Sequence, residues 1–251
     1  MVETTVNLES MTLFDNPRPS ADSAGQKDGS LANRAIARLR KAIITHELPP
    51  GSRVSENTLM ARFGLPRASV RTALGFFQQI GFVVSAGPRT QLIAPLTLAS
   101  IREIFQLRNV LEPAAAQFAI GKVDIDVLRK LNEECEARSS FSDRDEGYRY
   151  LDANFRFHAE IVAATGMPHL QKWLGFIQES VLRIMWISLA AESRSQKWSG
   201  GHEEIIEALE AEDSEKVAKV CLAHLTSGQQ LVYELIMDGR IPVDHTPWRP
   251  G

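Results

Sequence analysis

The sequence predicts a mainly α protein in two parts: a small helix-turn-helix module closed by two short strands, then an all-α helical bundle. Three observations carry this. Apolar residues recur at helical spacing along most of the chain, and strand-like pieces occur only at Phe82-Val83-Val84 and Gln91-Leu92-Ile93. Gly- and Pro-containing breaks punctuate the helices at short intervals. The charge is also split. Residues 31–97 hold nine Lys and Arg against two acids (Glu47 and Glu56), a net of +7, whereas residues 98–251 hold 17 against 24, a net of −7. A basic module on an acidic body points to a polyanionic partner for the module alone.

Residues 1–30 are rich in Ser, Asp, Asn, Gly and Pro without an apolar period, and are expected to be a disordered tail. The module spans 31–95. Its first helix, 31–46, carries Ala32, Ile36, Leu39 and Ile43 on one face, and Pro49-Pro50-Gly51 turns the chain. Ser55 is expected to cap a short second helix with Leu59, Met60 and Phe63 inward, ended by Gly64. A third helix, about 67–80, buries Val70, Ala73, Leu74, Phe77 and Ile80. Ala68, Arg71, Thr72 and Gly75 show on its other face, with Arg67 and Ser69 in its first turn. Small residues beside two arginines one turn apart suit close approach to a DNA major groove. The alternative is an ordinary amphipathic helix with a solvated Arg pair. Ser85-Ala86-Gly87-Pro88-Arg89 forms the tip of a β-wing between the two strands.

Residues 98–240 read as helices over 98–121, 124–140, 143–165, 168–193, 201–211 and 213–238. Polar residues stand on several apolar stripes. His158 follows Leu151 and Phe155 and precedes Val162, with Asn154 one turn before it. His202 shares a face with Ile205, Ile206 and Leu209, and His224 lies between Val217, Cys221 and Leu231. His202 and His224 are equidistant from residue 213, so an antiparallel hairpin turning there brings the two imidazoles level. A lone inward His is usually a hydrogen-bonded core residue. Three with an amide imply a divalent metal, zinc first and nickel or manganese as alternatives. Arg108 is a further inward charge, among Ile101, Ile104, Leu111, Ala115 and Phe118. It either pairs with Glu112 one turn on, or clamps the carboxylate of a small effector.

These residues also carry a family resemblance. PPG, then S-E-x-x-L, then RFGLPRASVRTALGFFQQIGFVV resembles the winged helix-turn-helix of GntR-type bacterial transcription regulators. The resemblance implies DNA contacts from Arg67 and Arg71, flanked by Ser69, and from the wing at Gly87 and Arg89. Asn57 stands where such proteins often carry arginine. Phe157-His158, Gly166-Met167-Pro168 and GHEEIIEALEAEDSEKVAKVCLAHL resemble the ligand-binding domain of the FadR-like subgroup, the FCD domain. The metal ligands so implied are Asn154, His158, His202 and His224, with Asn154 replacing a commoner aspartate.

The function expected is a ligand-responsive DNA-binding regulator: a cytoplasmic homodimer on a near-palindromic double-stranded operator, sensing a small carboxylate at the metal. The connection near 91–98 is expected to couple the halves. A metal-dependent enzyme or a direct metal sensor are the alternatives. Against the enzyme, His202-Glu203-Glu204-Ile205-Ile206 has Ile206 where a zincin needs its second histidine. No apolar run reaches the ~20 residues of a membrane span.

Overall fold

The computed structural model describes residues 26–87, 90–137, 143–192 and 200–240. The N-terminal module runs α1 (Gln26–Ile44), β1 (Arg53–Val54), α2 (Glu56–Phe63), α3 (Arg67–Gln79), β2 (Val83–Ser85) and β3 (Gln91–Ile93). The bundle follows as α4 (Leu98–Ala119), α5 (Ile125–Glu136), α6 (Arg144–Ala164), α7 (Pro168–Glu192), α8 (His202–Glu210) and α9 (Ser214–Met237).

Local chemistry sets these limits. Ser55 caps α2 by accepting from the Thr58 amide while the Thr58 hydroxyl accepts from the Ser55 amide; Thr97 and Ser100 repeat this at α4. Asp124, Asp143 and Asp213 cap α5, α6 and α9. Two boundaries differ from expectation. α1 starts at Gln26, inside the stretch read as tail, because each residue added to an existing helix contributes a backbone hydrogen bond without a new nucleus. The sheet has a third strand, β1, only two residues long and so below any periodic signal. Its order is β1-β3-β2, all antiparallel, with Val54 opposite Gln91 and Val83 opposite Ile93.

The module's core joins Leu39, Ile43, Leu59, Val70, Leu74, Phe77, Phe82 and Ile93, with Phe77 and Phe82 stacked at 6.3 Å. The bundle has two apolar clusters. α6 gives Leu151, Phe155 and Val162 to one, and Phe157 and Ile161 to the other. His158 therefore sits on the seam between them. Phe118, read as inward from its spacing, is exposed instead. α4 turns that edge outward, and Phe105 is buried where the helix meets the core.

Module and bundle are packed together. Arg40 on α1 makes two hydrogen bonds through Nε to the Glu179 carboxylate on α7 (2.8 and 2.9 Å) and one through Nη1 to the Tyr148 hydroxyl. Burial opposes the Arg40 charge, but Glu179, Tyr148 and Asp152 outweigh it and hold the guanidinium protonated. Arg183 on α7 donates to the Ala94 carbonyl in the connector at 2.7 Å and lies over the Phe82 ring. Ile44 at the end of α1 joins the bundle's core.

Candidate metal centre and nucleic-acid interface

The three imidazoles converge. His202 and His224 face each other across the α8–α9 hairpin with ring centroids 4.7 Å apart, and His158 on α6 lies 5.4 and 5.2 Å from them. One ring nitrogen from each falls within 4.8 Å of the others. Phe157 stacks on His202 at 4.0 Å and fixes its plane.

Each ring presents Nδ1 to an oxygen. His158 Nδ1 lies 3.1 Å from Glu112 Oε2, His202 Nδ1 3.2 Å from Asn132 Oδ1, and His224 Nδ1 3.0 Å from the Gly200 carbonyl. For His202 and His224, the tautomer these acceptors select carries the proton on Nδ1 and leaves the lone pair on Nε2. Three imidazoles whose ring nitrogens turn into one small space are a donor set that a divalent metal takes. Burial, reinforced by His158 and Arg108, pulls His224 down to about 3. Burial and the neighbouring imidazoles pull His202 well below its ordinary value. These two donors therefore lose no proton on binding a cation at neutral pH. Asn154 Nδ2 is 3.2 Å from His202 Nε2, so turning this amide would present its carbonyl oxygen to the same space.

Glu112 is the hub of the site. Its Oε1 accepts from Arg108 Nε at 2.9 Å and from Gln178 Nε2 at 3.5 Å, while Oε2 faces His158. Burial would raise its carboxyl, but Arg108 and His158 prevail and hold it at about 2. Arg108 thus makes the intrahelical pair expected as one alternative. Its Nη2 nonetheless reaches 3.5 Å from His158 Nε2, and the residue lines the cleft. The pair with Glu112 uses one edge of the guanidinium and leaves another toward the cavity. That cleft is walled by Leu151, Leu182 and Met185.

Four supporting residues escaped sequence reasoning. Glu112 figured only as a partner for Arg108. Asn132 lies on the buried stripe of α5 with Leu128, Leu131 and Cys135, a polar residue at a core position that was a usable signal. Gln178 is likewise buried on α7. Gly201 adopts φ +102°, and a Cβ there would stand 3.0 Å from His224 Nδ1; the Gly200-Gly201 pair marked the break without revealing this approach.

On the module, Arg67 and Arg71 are exposed on α3. Arg71 Nε donates to Glu56 Oε1 at 2.8 Å, and Arg67 Nη2 to Asn57 Oδ1 at 2.9 Å. The first residues of α2 thus orient both guanidinium groups outward. Ser69, expected beside them, is buried among core residues of α3 and offers no outer contact, because the third helical position turns into the module. Gly87 has φ +130°, and the wing closes through Ala86 N to Thr90 O at 2.9 Å. Arg89 lies outside the described residues.

Residues 31–89 match the model of the bacterial regulatory proteins of the gntR family, and residues 103–227 match the FCD domain. The chain belongs to the GntR family. The regulator is 28% identical over 154 residues to an HTH-type transcriptional regulator from the TAR-I ttuE-ttuC' intergenic region of Agrobacterium vitis, covering 59% of this chain and 90% of that one. It is 21% identical to the HTH-type transcriptional repressor RspR of Escherichia coli, covering 81% and 90%. Its fold matches the solved structure of E. coli McbR/YncC with a TM-score of 0.70 at 18% identity, covering 82% of this chain and 98% of that one. It is thus a DNA-binding transcriptional regulator of the GntR/FCD type. No helix among the described residues is long and apolar enough to cross a membrane.

Proposed function

We propose that this regulator is a homodimeric repressor that releases or rearranges on a near-palindromic operator when a small carboxylate binds at a metal held by His158, His202, His224 and Asn154. The observation that carries this is the convergence of three ring nitrogens within 4.8 Å, with His202 and His224 tied through Nδ1 to oxygen acceptors and their Nε2 atoms turned into one space. Zinc suits three imidazoles and a carbonyl oxygen, with nickel or manganese as alternatives. A bound metal supplies a Lewis-acidic seat for an anion. The cavity-facing edge of Arg108 supplies the second contact to the carboxylate.

The route outward runs through the helices that build the cleft. α7 lines it with Gln178, Leu182 and Met185, and with Glu179 and Arg183 grips α1 and the connector. α6 lines it with Asn154 and His158 and meets α1 through Tyr148 and Asp152. Any displacement of α6 or α7 on ligand binding is therefore felt by the module, and an effector that binds one placement better shifts the population. The dimer face is the exposed apolar stripe Leu107, Val110 and Phe118 of α4 with Leu222 of α9. RspR is named a repressor, which supports that sense of action. The acids Glu203 and Glu204 that follow His202 are exposed, and Glu203 accepts from Asn132 Nδ2 on the outer side of His202 Nδ1, which favours a sensor over a hydrolytic enzyme.

The test uses genomic fragments selected by the full-length protein. Affinity should fall steeply with salt, with a log–log slope steeper than about −4 for two basic modules. Arg71→Ala should remove specific binding while circular dichroism and metal content stay unchanged. His224→Ala should abolish stoichiometric zinc, measured by elemental analysis. A flat salt dependence overturns the DNA reading, and undiminished zinc in His224→Ala overturns the metal site.

A further inference from the structure

Arg183 on α7 is buried, 3% exposed, yet no carboxylate is set against it among the described residues. Its Nε has no hydrogen-bond partner there. Burial alone pulls the guanidinium down to about 10, which still leaves it charged at neutral pH. A buried cation without a counter-charge is costly, so the contacts it does make are informative. Nη2 donates to the Ala94 carbonyl at 2.7 Å, and the guanidinium lies 4.8 Å from the Phe82 ring centroid. These two residues form the closed end of the wing: Phe82 precedes β2, Ala94 follows β3, and the Ala94 amide donates to the Phe82 carbonyl at 2.9 Å. The Phe82 ring also stacks on Phe77 of α3. Glu179, one turn earlier on α7, holds α1 through Arg40, whereas the Arg183 charge is directed at the base of the wing.

We propose that Arg183 is a positioning residue for DNA binding: it fixes the angle of the wing against α3, so that α7 governs the wing contact and leaves the α3 contact alone. This rests on the reading of the wing as a DNA contact. The wing is a lever with its pivot at this arginine. Its tip at Gly87 lies five residues beyond Phe82, about 16 Å of extended chain. A tilt of about 10° at the base therefore moves the tip by about 3 Å, more than a hydrogen bond tolerates. The arginines of α3 do not share that tilt, because Val70, Leu74 and Phe77 anchor their helix in the module's core.

The experiment is a double-mutant cycle in operator affinity, read by fluorescence anisotropy of the full-length protein on its selected fragment. Arg89→Ala at the wing and Arg183→Met on α7 should each weaken binding about tenfold. In the Arg183→Met background the further cost of Arg89→Ala should shrink to within about twofold, because a misplaced wing has no contact left to lose. Arg67→Lys, a change confined to α3, should cost the same in both backgrounds. A residue that merely stabilised the fold would leave both costs unchanged. Melting temperatures report whether Arg183→Met is folded, and Arg183→Gln, which keeps a neutral donor, runs the same cycle if it is not. Unchanged affinity in the folded Arg183 variant, or an Arg89→Ala cost that persists in full beside it, overturns the assignment. No loss from Arg89→Ala in the wild type overturns the wing contact on which it rests, a result separate from the salt test of DNA binding itself.

Discussion

Replacing Glu112 by Gln tests the organisation of the ligand site most directly. The change preserves shape and removes one charge, leaving the Arg108 guanidinium buried at 4% exposure with no carboxylate against it. Loss of one partner of a buried pair destabilises by about 3–5 kcal/mol. The depressed acidity leads to a similar figure: a carboxyl taken from 4.5 to about 2 reflects about 3 kcal/mol of preference for its charged form. Glu112→Gln should therefore lower the unfolding free energy by about 3 kcal/mol, read from guanidinium titrations of metal-free protein. Zinc affinity should fall about 10- to 100-fold, because His158 Nδ1 loses its carboxylate. The double change Arg108→Met with Glu112→Leu should recover much of the stability, since an apolar pair leaves no unpaired charge. A Glu112→Gln loss below about 0.5 kcal/mol, or a double mutant no better than the sum of its parts, would refute the reasoning.

Three further outcomes follow from the same contacts. Gly201→Ala places a methyl group against His224 at a left-handed φ, so zinc affinity should drop at least about tenfold while DNA affinity of the metal-free protein stays unchanged. Arg40→Met leaves Glu179 buried without its guanidinium and should cost about 3 kcal/mol, whereas Lys41→Met at the exposed pair with Asp145 should cost under about 1; equal effects would deny the α1–α7 contact its weight. In acid, His224 is neutral in the fold but protonates near 6.5 when unfolded, so the unfolded state binds more protons as pH falls from about 6.5 to about 3, and His202, also held well below its ordinary value, acts in the same direction. Metal-free stability should be full above this window and lower by about 2 kcal/mol at pH 5 from His224 alone, a dependence that Gln at 224 should reduce and that unfolding curves at pH 7.5 and 5 would measure.

What the sequence by itself determined about this regulator was what repeats or punctuates. The 3.6-residue stripes placed α2 to α9 within a few residues, and the capping residue Ser55 fixed where α2 begins. The equal spacing of His202 and His224 about the turn at 213 gave their meeting in advance, because a hairpin's register follows from its pivot. Tertiary structure decided what depends on contacts between distant segments. Which of Phe105 and Phe118 is buried was set by the edge α4 turns to α9, and Ser69 by the packing of α3 on α1. Asn132 reaches His202 from 70 positions away and Gln178 reaches Glu112 from 66; no local period encodes such pairs. The same holds for Arg40 with Glu179, whose separation of 139 positions closes only when the bundle folds against the module. Local spacing thus named the imidazoles, and only the packed helices supplied the oxygen acceptors that orient their lone pairs.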